Sequence, residues 1–148
     1  MISGNYKGDS MEITAQIKTV NILEESTTIS FNDLVCNEII VPNTLGGKRS
    51  SISLEGSDRD FLLFAANISD TEFVKYYLFV LRNNEWKLVI NSFAIHKTNL
   101  RSNKQPIRVD PKSPNHLIRS YSVFYFYEYE KQRNPWKLKE EPILKNAW

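Results

Sequence analysis

His96 and His116 are the only histidines of the chain, and lysines lie close to both, Lys97 beside the first and Lys112 four residues before the second. Two imidazoles, one neutral and one protonated, with a lysine to hold charge, could cleave a phosphodiester by general acid-base transfer. The surrounding residues do little to support that chemistry. Beyond Asp110 no carboxylate lies nearby in the chain to orient either ring. No G-x-S-x-G elbow, phosphate-cradling loop, H-E-x-x-H or dinucleotide glycine fingerprint occurs anywhere. The acid pairs Glu24 with Glu25, Asp58 with Asp60, and Glu140 with Glu141 fall in turns or at strand ends, where solvation accounts for them. Both histidines are therefore expected to be solvated and dispensable, no catalytic residue is assigned, and neither a metal nor a cofactor is expected.

Cys36 is the single cysteine, so no intramolecular disulfide can form and stability has to come from packing. Its apolar neighbours in DLVCNEIIV predict a buried thiol that behaves as a small hydrophobe. The acidic segment around it offers no cation to lower its pKa.

Charge is the more informative bulk property. The formal net charge of +2 conceals two unlike halves, because residues 1–74 hold five Lys/Arg against eleven Asp/Glu and residues 75–148 hold fourteen against six. Such an imbalance either steers a charged partner or is neutralised within the fold by pairing of the two halves.

The elements that would carry these groups read mainly as strands. Met11, Ile13, Ala15 and Ile17 alternate with polar residues, and the alternation slips near Val20, which predicts a bulge. Further strands are expected at 27–31, 51–54 and 60–68, with NTLGGKRS as a loop and EGSD as a turn. A short helix fits the spacing of Phe31, Leu34, Val35 and Ile39. Residues 69–82 carry conflicting signals: Ser69 with Glu72 forms a capping box, whereas the aromatic, branched YYLFVL followed by Asn83-Asn84 and WKLVI reads as a hairpin.

A second copy of the pattern resolves the conflict. YYLFVLRNNEWKLVI and FYFYEYEKQRNPWKLKE share an aromatic run, an Arg-Asn turn and Trp-Lys-Leu. The second copy alternates with period two from Tyr121 to Tyr129, so both segments, 73–91 and 121–139, are expected to be hairpins. The first is apolar on both faces, as a central strand is, and the second turns charged, like an edge. Trp86 and Trp136 each begin a returning strand and are expected to close an end of the core, with the indole N–H reaching backbone or water. Residues 94–119 should form an exposed basic connection with one short strand at Ile107–Val109.

The expected fold is thus one domain over residues 1–148, mainly β with at most one or two short helices, a compact antiparallel sheet, sandwich or barrel-like. The longest apolar runs are far short of a membrane span. The N-terminal residues show no leader pattern, so cytoplasmic, periplasmic and secreted locations all stay open.

With catalytic signatures lacking and charge prominent, the leading reading is a protein-binding module. In general character the chain resembles the small, diverse immunity proteins with which bacteria neutralise a cognate toxin, a likeness of profile carried by no motif. It implies a charged surface that inhibits another protein, and the acidic candidates for a basic partner are Glu24, Glu25, Asp33, Glu38, Glu55, Asp58 and Asp60. The alternative is a nucleic-acid or polyanion binder, with Lys97, Arg101, Lys104, Arg108 and Lys112 on phosphates and Tyr125 and Tyr127 stacking on bases. A small ribonuclease-like enzyme using His96 and His116 is the third.

Overall fold

A computed structural model describes residues 2–9, 11–33, 36–100, 105–113 and 115–146. The chain forms three antiparallel sheets. Sheet 1 contains β1 (Ile2–Gly4), β2 (Ile13–Asn21), β3 (Ser26–Phe31) and β4 (Ile39–Pro42) in sequential order. Sheet 2 contains β5 (Gly47–Ser53), β6 (Asp60–Asn67), β7 (Phe73–Arg82), β8 (Glu85–Leu88) and β9 (Phe93–His96), with β8 and β9 both pairing to β7 at its two ends. Sheet 3 contains β10 (Ile107–Val109), β11 (His116–Phe124) and β12 (Trp136–Leu144). A 3-10 turn at Lys97–Asn99 and one short helix, α1 (Phe126–Glu130), are the other elements among the described residues.

Sheet 2 is the middle layer, and the period of two explains why. Leu62, Phe64, Ala66, Tyr77, Phe79 and Leu81 pack with Tyr6, Ile13, Ala15, Ile29, Ile39 and Val41 against sheet 1. The intervening Phe61, Leu63, Leu78 and Val80 pack with Ile107 and Leu117 from sheet 3. A strand buried on both faces must read as a continuous apolar run, which accounts for FLLFAA and YYLFVL. The layers are open sheets, so the barrel-like alternative does not describe them.

Local expectations hold in several places. The β2–β3 ladder shifts register between Ile17 and Thr19, close to the slip in the pattern. Asn83 and Asn84 both have positive φ (51° and 63°) and join β7 to β8, as the hairpin reading requires. Trp86 packs edge-on to Tyr6 and stacks on Phe31. Its indole N–H, however, is buried with no oxygen acceptor, the Cys36 sulfur lying beside it.

Other expectations need correction. The described part of 31–39 is not helical, and Ile39 starts β4; Leu34 and Val35 lie outside the described residues. Residues 47–50 are strand, because Gly47, at φ 151°, begins the ladder with Ala66. A Cβ there would sit 2.2 Å from the Ala65 carbonyl oxygen, so only glycine lets the two backbones approach. The period-two run Tyr121–Tyr129 is strand only to Phe124. The Tyr125 N–H donates to the Pro135 carbonyl and closes the ladder, and Tyr129 N–H then bonds to Tyr125 O in a single helical turn. Alternation continued past the last residue with a partner strand, and without that partner the backbone bonds to itself.

Candidate functional site

The two histidines are not brought together. The His96 N–H donates to Ser122 Oγ at 2.7 Å, and Ser122 lies six residues along β11 from His116, roughly 20 Å of extended chain. His116 bonds locally to Ser113. His96, expected in solvent, is buried. Its ring stacks on Trp136 at 5.1 Å and meets Phe73 edge-on. Its Nδ1 accepts from the Thr98 N–H and O–H, and Nε2 faces Glu72 at 3.3 Å. The order carboxylate, imidazole, hydroxyl is that of a nucleophile triad. Here the same Nδ1 caps the 3-10 turn through the Thr98 backbone and Asn134 donates to Thr98 Oγ1. The group ties β9 to the β11–β12 connection, an architectural task.

The seven acidic candidates do not form one face. Glu24 and Glu25 sit in the β2–β3 turn, with no ion pair among the described residues. Asp33 is bound to Lys7 at 2.6 Å and Glu38 to Lys18 at 2.8 Å. Asp58 pairs with Arg59, which holds its carboxyl below the ordinary range. Asp60 accepts from the Asn5 N–H and Ser53 Oγ. Glu55 and Asp58 line a cleft of about 360 Å³ with Arg82 and Lys145, so both signs meet there. That cleft lies at the β5–β6 turn, a strand length of roughly 20 Å from the end that carries Glu24 and Glu25.

Of the basic and aromatic candidates, Arg101 and Lys104 lie outside the described residues. Arg108 is paired with Glu140 at 2.9 Å. Lys97 and Lys112 are exposed. Tyr125 and Tyr127 each carry a lysine over the ring, Lys139 at 5.6 Å and Lys131 at 5.2 Å. The sequence reading overlooked these two lysines, since it looked for basic groups in the loop and not in the strand that returns beside the tyrosines.

What the residues do assemble is one end of the three layers. Thr44 N–H bonds to Glu25 O, Leu45 N–H to Asn67 O, and Lys97 N–H to Glu72 O. Trp136 then stacks on His96, Phe124 meets Trp136 edge-on, and Tyr129 packs at a tilt on Phe124. These links run from the β2–β3 turn across sheet 2 to α1. Two apolar protrusions stand on this end. In the turn, Ile22 is 75 % and Leu23 98 % exposed. On α1 no residue is buried, and Phe126, Tyr127 and Tyr129 are 63 %, 62 % and 59 % exposed. Clustered exposed apolar groups of this kind mark interaction sites.

Charge follows the layers. Residues 2–42, which include sheet 1, carry two Lys/Arg against six Asp/Glu; residues 43–99 carry seven against six; residues 105–146, which build sheet 3, carry eight against five. Each Lys or Arg ion pair described joins partners within one of these segments. The two charged halves therefore do not neutralise each other through these pairs, and an acidic and a basic outer layer stand on opposite sides of sheet 2. Compared with protein-family models, curated proteins and solved structures, the chain matches none.

Proposed function

We propose that this protein is a non-enzymatic protein-binding module that docks a positively charged partner on the sheet 1 side, through the β2–β3 turn. The observation that carries the reading is the turn itself: a fully exposed Leu23 and an exposed Ile22 adjoin Glu24 and Glu25, which have no ion pair among the described residues. An apolar anchor beside uncompensated carboxylates suits a socket with a basic rim, since charge speeds encounter and the buried anchor supplies affinity. Inhibition of a basic toxin, in the manner of an immunity protein, is the specific form of this function we favour.

Affinity purification from the native host at low and moderate salt tests it, with wild type beside Leu23→Asp and Glu24→Lys/Glu25→Lys. A stoichiometric basic protein held by wild type and lost from both variants is the expected result. A partner that both variants retain would remove the turn from the interface. Nucleic acid that salt strips off would instead favour the polyanion reading.

A further inference from the structure

The α1 protrusion lies on the opposite, basic side, and the binding function proposed above leaves it unused. Phe126, Tyr127 and Tyr129 project from a five-residue helix that buries nothing. The turn is nonetheless fixed in place, because Phe124 packs on Trp136 at 5.2 Å, Tyr129 on Phe124 at 5.7 Å, and Arg133 pairs with Glu128 at 2.9 Å. Lys97, Lys131, Lys137 and Lys139 are exposed around it, and none forms an ion pair among the described residues. Glu130 and the exposed Glu72, whose carbonyl accepts from the Lys97 N–H, are the opposing charges without a Lys or Arg pair among the described residues.

We propose that this end of sheet 3 is a docking surface for an anionic lipid bilayer, with the α1 rings entering the headgroup region and the lysines holding acidic headgroups. Three features favour lipid over other polyanions. First, the rings are occupied face to face or by cations: Phe126 stacks with Tyr129, Lys131 covers Tyr127 and Lys139 covers Tyr125. One face of each of these rings is thus already taken, which leaves less ring surface for stacking nucleobases. Second, tyrosine presents an apolar body with a polar tip, the amphipathic form that settles at a membrane interface. Third, the rings stand exposed on a helix that buries no residue, and a fluid surface accommodates exposed rings without a preformed cavity. Each lysine near an acidic leaflet is worth about a fivefold gain in partitioning, and the protein would lie on the bilayer without crossing it.

Co-sedimentation of the whole protein with vesicles of phosphatidylcholine alone and of an equal mixture with phosphatidylserine tests the proposal. Binding to the mixture and not to the neutral lipid is expected, weakened by salt. Phe126→Ala/Tyr129→Ala should lower the partition coefficient at least about tenfold, since it removes two interfacial rings, and Lys137→Gln/Lys139→Gln about 25-fold by the same electrostatic scale. All four positions are exposed, and a thermal melt verifies that the variants fold. The proposal is overturned if the mixed vesicles do not bind, or if the ring variant binds them as wild type does. It is equally overturned if a labelled single-stranded oligonucleotide binds more tightly than the vesicles and displaces them. None of these outcomes involves Leu23, Glu24 or Glu25, so failure here leaves the protein-binding function untouched.

Discussion

His96 shows how a side chain with catalytic credentials can be structural. Its ring is enclosed by Trp136 and Phe73, and both nitrogens have partners, Thr98 and Glu72. Replacement leaves a void and an uncapped 3-10 turn, so His96→Ala should cost about 2 kcal/mol in chemical denaturation. His116→Ala, which loses one local bond to Ser113, should cost under about 1 kcal/mol. Similar losses would show that the stack around His96 contributes nothing. Tyr6 gives a pH signature. Burial, opposed by its bond to Ser51, raises its phenol pKa above the ordinary value near 10, and Tyr76 is raised by burial as well. The folded state thus holds a proton that the unfolded chain gives up sooner. This contribution is fully present below about pH 10 and is lost as pH rises through the folded pKa. Tyr6→Phe should flatten the alkaline loss of stability measured between neutral pH and pH 11, with Tyr76 leaving a residue of it.

Gly47 and α1 mark where the elements were and were not legible in the sequence. β6, β7 and the β7–β8 hairpin could be read because a strand covered on both faces needs an unbroken apolar run, and an Asn-Asn turn supplies the left-handed positions. The start of β5 was hidden, since a Gly pair signals a turn and nothing local reveals that Gly47 passes under the Ala65 carbonyl. Gly47→Ala should therefore cost about 2 kcal/mol or more, whereas a glycine serving only a loop would tolerate it. The helix α1 was hidden for the opposite reason: its tyrosines alternate as a strand does, but the ladder ends at the Tyr125–Pro135 bond. As for the candidate site, Glu24 and Glu25 were found from charge alone, while the exposure of Leu23 depends on how the β2–β3 turn projects. The lysines of β12 became significant only once the register set Lys139 opposite Tyr121.

Across the molecule, the unlike halves of the sequence become unlike faces, because chain order and layer order coincide: sheet 1, then sheet 2, then sheet 3. Ion pairs within each segment consume Asp33 and Glu38 in the sheet 1 segment, Asp58 in the sheet 2 segment, and Arg108, Arg119 and Arg133 in the sheet 3 segment. Pairs internal to a layer leave its net charge unchanged, so the acidic and basic faces persist. A protein with net charge +2 and evenly mixed charges would be held only by a cation exchanger at pH 7. This one should be retained in low salt by both a sulfonate and a quaternary-amine column, presenting a different face to each. Glu24→Gln/Glu25→Gln should weaken retention on the quaternary amine. Asp58→Asn should have less effect there, since its charge is already matched by Arg59. The same two changes should also separate in binding. With the partner recovered by affinity purification, the Glu24/Glu25 amides should slow association and flatten its dependence on salt, since steering acts on the rate of encounter. Asp58→Asn should do neither. Passage of the wild-type protein straight through the quaternary-amine column would mean that the faces are too evenly balanced to steer anything.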